Sequence, residues 1–480
     1  MISYAGLEIP SIETLKTDSR RISKGDVFIA LRGVKRDGHD HIAEALGKGA
    51  RAVICEQCPP GFPDALRSSL TVVRDTRETA AELASAFHGD PSSRLRTYGV
   101  TGTNGKTSTV FILESVLELL NRETGFVSTV HSKTGRDKLK PSVMTTPDAF
   151  KVYSLLSEMV SNGLTDAVIE ISSHALSQKR VWGIGLDCAV FTNITPEHLD
   201  YHGDMDSYFR DKSLIFEQLK PGGTAVLNAD DPKVRTLIAR TGPATVTFAM
   251  EEPADMRAEN LRASAYGNEF DLVWRGRARS RVRSGLIGRH NVYNLLGAAA
   301  ALMCTGYGFD EVSSGLEKAG AAPGRLEAVG NSELPFRVFV DYAHTADALA
   351  NALCALKPLV KNKLICVFGC GGDRDRSKRP VMGRVASDLC DMVIITNDNP
   401  RTEDPGRIIN DIEKGMSADT YSVTPDRREA ISQALRSAGE GDVILIAGKG
   451  HEDYQIRGEV KVRFDDREEV RTALKGLGCL

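Results

Sequence analysis

Tyr98-Gly99-Val100-Thr101-Gly102-Thr103-Asn104-Gly105-Lys106-Thr107-Ser108 joins a short β-prone run to a glycine turn and a Lys-Thr pair, and the amphipathic segment Thr109–Leu120 follows. Strand, glycine loop and helix, in that order, are what a phosphate-binding loop requires. Glycines let backbone N–H groups converge on phosphate oxygens, and the N-terminus of the following helix adds partial positive charge. Gly102, Thr103, Asn104, Gly105, Lys106, Thr107 and Ser108 are therefore the candidate nucleotide contacts. Lys106 can reach the β- and γ-phosphates, and the Thr107 hydroxyl can ligate Mg²⁺. Counted strictly from Gly102 and Gly105, the loop is shorter than the common G-x-x-x-x-G-K-[ST] form. A glycine turn that merely caps a helix is the bland alternative, and the Lys-Thr pair weighs against it.

The remaining composition narrows the class without naming a reaction. A chain of 480 residues accommodates two to four domains. Hydrophobic content of 41% and charged content of 26% are ordinary for a globular protein. A net charge of −3 gives no electrostatic case for nucleic acid or an anionic membrane as partner. No stretch reaches the apolar length of a membrane span, and Met1-Ile2-Ser3-Tyr4 does not open a signal peptide. Cys55-Glu56-Gln57-Cys58 has redox or zinc-knuckle spacing, but no second pair or histidine partner follows, so the thiols read as incidental. Dispersed cysteines of this kind suit a reducing, cytoplasmic compartment.

Three α/β segments follow from the boundary signals. Residues 1–92 form a small unit with β-prone runs at Asp26–Leu31, Arg51–Glu56 and Leu70–Asp75, and a helical stretch at Ile42–Gly47. The turn-rich His88-Gly89-Asp90-Pro91-Ser92-Ser93 closes it. Residues 93–324 alternate buried-type strands with helices, as in a doubly wound parallel sheet. The strands are expected at Thr97–Thr101, Ala167–Ile171, Cys188–Ile194, Thr224–Asn228 and Ala244–Phe248. Residues 325–480, entered through Ala321-Ala322-Pro323-Gly324-Arg325, restart the alternation at Arg337–Asp341, Lys363–Phe368, Met392–Thr396 and Val443–Ala447, a Rossmann-like pattern.

Chemistry-bearing residues gather just past the C-terminal ends of these strands, where open α/β sheets bind ligands. Glu170 leads into Ser172-Ser173-His174, and Phe191 leads into a run ending His198-Leu199-Asp200-Tyr201-His202-Gly203. One carboxylate and one imidazole beside the loop could complete a divalent-metal site. Periodicity does not choose among His174, His198 and His202. Lys212 lies on a helical stretch, where pairing with Asp211 or Glu217 on a solvated face is its plain physical reading.

Thr101–Thr107, Glu170-Ile171-Ser172-Ser173-His174-Ala175-Leu176, His198–Gly203 and Asp341-Tyr342-Ala343-His344-Thr345, in that order, resemble the Mur ligases, the ATP-dependent amide ligases of peptidoglycan precursor synthesis. The resemblance covers essentially the whole chain. Asp18-Ser19-Arg20 and Asp37-Gly38-His39 are similar to the branch that adds the third stem-peptide residue, and Asp398-Asn399-Pro400-Arg401 resembles its meso-diaminopimelate signature. Two departures stand out. Met144 replaces a frequent asparagine, and Thr195-Pro196-Glu197 replaces the more usual Ser-Arg-Asp before His198.

That resemblance implies transfer of phosphate from ATP to the D-glutamyl carboxylate of UDP-N-acetylmuramoyl-L-alanyl-D-glutamate, then attack by diaminopimelate. It implies Lys106, Lys212, His198 and Glu170 as catalytic residues. Mg²⁺ falls to Thr107, Glu170, His198 and Lys212, the last carbamylated by CO₂, against the plain reading of that residue. Asn291, Asn294, Arg325 and Asp341 are implied for the nucleotide, and Ser19 with the Asp37–His39 turn for the UDP moiety. Thr145, Thr146, Ser172, Gln178 and Arg180 are implied for the muramoyl dipeptide. Arg374, Asp398, Asn399, Pro400, Arg401, Gly448 and Glu452 are implied for meso-diaminopimelate. The family also implies a cytoplasmic monomer with no nucleic-acid or membrane partner. A lysine-adding or folylpolyglutamate-type ligase, and a catalytically silent nucleotide-binding module, remain as alternatives.

Overall fold

The computed structural model describes every residue except 34–35, 143, 242–243, 265–266, 331–333, 418–420 and 480. By internal contacts the chain divides into two units. One comprises residues 1–106, 121–226 and 236–245, and the other residues 107–120, 227–235 and 246–480.

The first unit contains an N-terminal two-stranded antiparallel pair, Ile2–Tyr4 with Leu7–Ile9, and two larger sheets. The strands Leu15–Lys16, Val27–Ile29, Ala52–Cys55 and Leu70–Val72 pair in that order, all parallel. The short helix Ile42–Gly47 falls where the sequence places it. In the second sheet the loop-bearing strand Arg96–Thr101 lies between Asp166–Glu170 and Leu186–Phe191, with Val168 and Cys188 both opposite Tyr98. Thr124–Val127 continues the parallel arrangement. These strands read as apolar runs because both faces are covered. The helix Thr76–Phe87, whose Asp75 cap accepts from the amides of Arg77 and Glu78, packs with Ala149–Ser161 in one core around Ala81, Val152, Tyr153 and Leu156.

In the second unit, a six-stranded sheet runs Glu327–Val329, Arg337–Asp341, Val443–Ala447, Leu364–Phe368, Met392–Ile395, Tyr421–Val423. All neighbours are parallel except the first pair. Alternate side chains feed two cores. Phe339, Leu445, Phe368 and Ile395 meet Leu353 and Met382 on one face. Val340, Ile446, Val367 and Ile394 meet Ile431, Leu435 and Leu474 on the other.

Expected strands appear within a few residues of their bounds, but several antiparallel features, among them the pair Ile2–Tyr4 with Leu7–Ile9, were not foreseen. His131–Lys133 and Leu139–Pro141 extend the second sheet of the first unit. Met256–Ser264, Gly267–Trp274 and Ala278–Ser284 form a meander, and Tyr454–Arg457 with Val460–Arg463 a hairpin. The meander hides from a search for buried strands because one face is ionic. Arg281 bonds Asp271 (2.5 Å), Arg283 bonds Glu269 (2.8 Å) and Arg279 bonds Glu259 (2.6 Å). These antiparallel strands join the doubly wound parallel arrangement that the sequence leads one to expect. Among the described residues no helix is long and apolar enough to cross a membrane.

One buried ion pair ties the C-terminal helix Asp466–Gly476 to the helix Arg427–Ser437. Arg427 donates to both carboxylate oxygens of Asp466 at 2.7 Å, and both side chains are 0% exposed. The same guanidinium donates to the Ala447 carbonyl (2.9 Å) at the end of a central strand. Removing one partner leaves the other charged and buried. Asp466→Ala is expected to lower unfolding stability by about 3–5 kcal/mol, read as a lower urea midpoint.

Candidate active site

The glycine loop is shaped by what lies beside it. At Gly102, with φ +140°, a Cβ would sit 2.0 Å from the Thr192 hydroxyl, so no side chain fits. The strand expected over Cys188–Ile194 stops at Phe191, and the next residues turn to grip the loop. Asn193 receives the Thr103 amide on its carbonyl (2.9 Å). Its side chain clasps the Asn104 backbone from both ends, accepting from N (2.9 Å) and donating to O (3.0 Å). Thr192 donates to the same Asn104 oxygen (2.6 Å). Thr103 donates to the Thr195 carbonyl (3.1 Å) and accepts from its amide (3.0 Å). Thr192 and Asn193 were given no role from sequence, which placed both inside the strand expected over Cys188–Ile194.

Two lysines converge on this loop. The Lys106 ammonium donates to the carbonyls of Gly102 (3.0 Å) and Thr103 (2.7 Å). Lys212, only 1% exposed, donates to the Gly102 carbonyl (2.7 Å) and lies 4.7 Å from the Tyr208 ring centre. The solvated ion pair expected on plain grounds is therefore absent. Asp211 instead bonds His202 Nδ1 (2.7 Å). Burial, reinforced by the Lys106 charge, holds the Lys212 amine well below the usual ammonium range, against the opposing pull of Glu197 and Glu170.

The three histidines are now distinguishable. His202 is a strut, with Nδ1 on Asp211 and Nε2 3.0 Å from the Ser173 hydroxyl. Burial, with His198 and His202 beside it, lowers His174 to about 4. His198 sits in the left-handed region (φ +55°) with its side chain 47% exposed, and burial again lowers its pKa. Glu170 is held from two sides by Thr129, whose amide (2.8 Å) and hydroxyl (2.9 Å) both donate to it. Among the described residues no three His, Cys, Asp or Glu side chains gather tightly enough to hold a metal by themselves.

A cavity of about 480 Å³ opens in the same unit, lined among others by Thr17, Asp18, Arg77, Met144, Gln178 and Arg180. Arg180 donates to the Thr146 carbonyl (2.8 Å) and forks onto Gln178 Oε1 (3.2 and 2.8 Å). It also reaches the Met144 sulfur at 3.8 Å, so the departure at Met144 still leaves a weak acceptor there. The Thr145 hydroxyl lies 3.0 Å from that of Thr129. Thr146 is internally engaged, donating to the Glu170 carbonyl (2.8 Å) and accepting from the Ser172 amide (3.0 Å). Ser19 is buried against Glu44 (3.2 Å), while its neighbours Thr17 and Asp18 face the cavity. His39 has both ring nitrogens occupied, by Asp37 (2.7 Å) and the Glu56 amide (2.9 Å), which makes that turn structural.

In the second unit, Asn291 and Asn294 are buried and linked (3.0 Å), with Asn291 also donating to the Ile287 carbonyl (2.8 Å). Asn291 and Arg325 line a narrow cleft with Ser108 and Ile112. Arg325 donates to the Thr107 hydroxyl (3.3 Å) and stacks on Tyr342 (4.9 Å), while its Nε finds no partner among the described residues. Asp341 accepts from the amides of Leu326 (2.6 Å) and Ala343 (2.8 Å), and burial pushes its carboxyl up.

Around the end of strand Val443–Ala447 lies the last group. Gly448 (φ +112°) leaves room for Asp398, whose carboxylate would be 2.6 Å from a Cβ there. Asn399 donates to Glu452 (2.8 Å), and its Oδ1 accepts from the Ile456 amide (2.9 Å). Pro400 is buried, with its carbonyl accepting from Glu403 N (3.1 Å). Arg401, at φ +52°, donates to the Gly372 carbonyl (2.8 Å). Arg374 is exposed and donates to the Asp373 carbonyl (3.1 Å). Lys449, unassigned from sequence, is wholly buried among Asp398, Asn399 and Glu452.

Comparison with known proteins matches three family models along the chain. They are the Mur ligase family catalytic domain over residues 11–88, the Mur ligase middle domain over 100–302, and the Mur ligase glutamate ligase domain over 324–450. The UDP-N-acetylmuramoyl-L-alanyl-D-glutamate–2,6-diaminopimelate ligase of Geobacillus kaustophilus is 43% identical over 98% of this chain and 96% of its own. The protein of the same name from Gloeobacter violaceus is 42% identical over 99% and 97%. A solved structure of a ligase of that name superposes with a TM-score of 0.69 at 35% identity, covering 98% of each chain. Folylpolyglutamate synthase from Mycobacterium tuberculosis, at 20% identity, TM-score 0.64 and coverage of 78% and 92%, shares the fold.

The Asn193 clasp generates a test. Asn193→Ala removes two hydrogen bonds to the Asn104 backbone, leaving the Thr192 hydroxyl on its carbonyl, and loosens the loop. Binding of Mg·ATP, followed by titration calorimetry, is expected to weaken about tenfold, which is ~1.4 kcal/mol.

Proposed function

The chain belongs to the Mur ligase family, and from that premise we infer an ATP-dependent amide ligase that joins diaminopimelate to UDP-N-acetylmuramoyl-L-alanyl-D-glutamate. A carboxylate oxygen of the D-glutamyl residue takes the γ-phosphoryl group as the bond to ADP breaks. The amine of diaminopimelate then attacks the acyl carbon and gives up a proton. Inorganic phosphate leaves with the C–O bonding pair.

The observation that carries this reading is the clasped loop with Lys106 at its end. Phosphoryl transfer asks the protein for position and charge rather than covalent chemistry. Lys106 supplies a cation, and the Thr192–Asn193 grip fixes the backbone that presents it. Glu170 and His198 offer a carboxylate and an imidazole, donors that suit a hard divalent cation, and the family resemblance adds the Thr107 hydroxyl. Mg²⁺ bound there would neutralise charge on the transferring phosphoryl group. The assignments of Asn291, Asn294, Arg325 and Asp341 to the nucleotide follow the family resemblance, as does placement in the cytoplasm.

Lys212 is the finer part of the proposal. As a buried amine held below its usual pKa it is a nucleophile toward CO₂. The nitrogen lone pair forms the C–N bond as one C=O π pair of CO₂ moves onto oxygen, a proton leaves to solvent, and the product is a carbamate anion that can join Glu170 and His198 as a ligand. For diaminopimelate, the guanidinium groups of Arg374 and Arg401 suit the distal carboxylate, which lysine lacks. Thr145, Ser172, Gln178 and Arg180 are assigned to the muramoyl dipeptide, with Thr146 bracing them.

The test is phosphate release by the purified protein with ATP and the UDP-linked dipeptide. Release with meso-diaminopimelate and not with L-lysine is expected, and Lys106→Ala should lower it by about a hundredfold or more. Release with lysine alone would move the acceptor assignment to the lysine-adding alternative. In ¹³C-bicarbonate, a carbamate resonance is expected from the wild-type protein and none from Lys212→Ala.

A further inference from the structure

The short helix Ser173–Ser177 ends in a turn whose geometry favours glycine, and the residue found there is Lys179. The Lys179 amide donates to the Leu176 carbonyl (3.0 Å) and the Arg180 amide to the Ala175 carbonyl (2.8 Å), the paired bonds of a Schellman close. Lys179 itself sits in the left-handed region at φ +54°, where any Cβ is a steric cost that glycine avoids. The reason for a lysine at this point therefore lies in its side chain. Its ammonium donates to Asp75 Oδ2 (2.8 Å) and to Glu78 Oε1, and it lies 5.0 Å from the Trp182 ring centre. Side-chain exposures of 27%, 26% and 23% for Lys179, Asp75 and Glu78 set this cluster apart from fully solvated pairs, which contribute little.

The two acids are themselves anchored. Asp75 caps the helix Thr76–Phe87, accepting from the amides of Arg77 (2.8 Å) and Glu78 (3.0 Å). Thr76 gives its amide (3.2 Å) and its hydroxyl (3.1 Å) to Glu56, just past the strand Ala52–Cys55. Arg77 bonds the Arg32 carbonyl and reaches the Gln178 carbonyl at 3.4 Å. On the other side of the clamp, Gln178 and Arg180 flank Lys179, and the turn brings their side chains together in the Arg180 fork on Gln178 Oε1. Gln178 Nε2 also donates to the Tyr201 hydroxyl (3.1 Å). A chain of bonds thus runs from the four-stranded sheet, through the first turn of the helix Thr76–Phe87 and the Lys179 ammonium, to the backbone carrying Gln178 and Arg180 at the wall of the 480 Å³ cavity.

We propose that Lys179 is a positioning residue for the UDP-linked dipeptide: clamped by Asp75 and Glu78, it holds the turn on which Gln178 and Arg180 are presented to that substrate. This inference rests on the assignment of Gln178 and Arg180 to the muramoyl dipeptide. It adds a residue that acts through them, and makes the helix Thr76–Phe87 a determinant of substrate affinity.

The experiment measures Michaelis constants for the UDP-linked dipeptide, ATP and meso-diaminopimelate, together with thermal midpoints. The proteins are wild type, Lys179→Gly, Lys179→Arg, the Asp75→Asn/Glu78→Gln double variant, its combination with Lys179→Gly, and Arg180→Ala. Lys179→Gly relieves the backbone while it removes the clamp. Its Tm is expected within about two degrees of wild type, because the two effects oppose one another. Its KM for the dipeptide is expected to rise about tenfold, with the other two KM values within about twofold. Lys179→Arg, which keeps a cation between the acids, should restore most of the affinity. Asp75→Asn preserves the helix cap, and the double acid variant should raise the dipeptide KM about as much as Lys179→Gly does. The combined variant should be no worse than either, since all three side chains act as one unit. An unchanged dipeptide KM in Lys179→Gly would overturn the proposal, as would a defect spread over all three substrates. So would a normal KM in the double acid variant beside a raised one in Lys179→Gly, which would make Lys179 a direct contact. Arg180→Ala separates the two levels: an unchanged dipeptide KM there refutes the dipeptide assignment and the proposal with it, whereas a raised one beside a silent Lys179→Gly refutes the clamp alone.

Discussion

The reciprocal grip between Asn193 and the Asn104 backbone is the constraint on which the catalytic face depends. A glycine loop has more backbone freedom than any other segment, and freedom is what a phosphate site cannot tolerate. Here the freedom that Gly102 and Gly105 provide is spent on a conformation that hydrogen bonds from the neighbouring strand end then fix. The strand Leu186–Phe191 has to end where it does for Thr192 and Asn193 to reach the loop. Sheet register is thereby converted directly into loop geometry. Lys212 adds the final tie, because its bond to the Gly102 carbonyl makes the same buried amine part of the loop's support and a candidate for chemistry.

The parallel strands were legible because burial on both faces leaves continuous apolar runs, and because ligand-bearing residues cluster at their C-terminal ends. Arg337–Asp341 and Val443–Ala447 have the bounds expected of them. The meander of Met256–Ser264, Gly267–Trp274 and Ala278–Ser284 was not legible for the complementary reason. Its arginines and acids satisfy one another across strands, a pattern that a single strand read alone presents as polar and featureless. The plain reading of Lys212 failed for a different cause. Helical spacing says which neighbours a lysine could pair with, but not whether tertiary packing removes it from water.

The candidate site was legible by residue type and order more than by role. The chain motifs placed Glu170, His198, Lys106 and Asp398 near strand ends, and the structure distinguishes helpers from candidates within each motif. His202 and Thr146 are struts whose polar atoms are used internally. His39 is another, although its motif resembles a substrate turn. Hydrogen-bond saturation is the criterion that separates them. A side chain with every donor and acceptor occupied inside the fold cannot bind a substrate without first breaking a bond, whereas Arg325 keeps a buried Nε unspent.

The same criterion explains why the second unit buries so many charges. A hydrophobic pocket discriminates poorly between two amino acids that differ by a polar group, since it gains little from one and loses little with the other. A pocket holding unmatched charge discriminates strongly, because the wrong ligand leaves that charge stranded. Arg427 with Asp466, and Lys449 with Glu452, are closed pairs and can contribute only rigidity. Their closure is nevertheless what gives the open groups meaning. Asp398 and Asp341 are buried acids outside these pairs, and the proposed acceptor assignment gives Arg374 and Arg401 a carboxylate to receive. On the proposed assignment, specificity would follow from the few charges the fold leaves unsatisfied rather than from how many it contains.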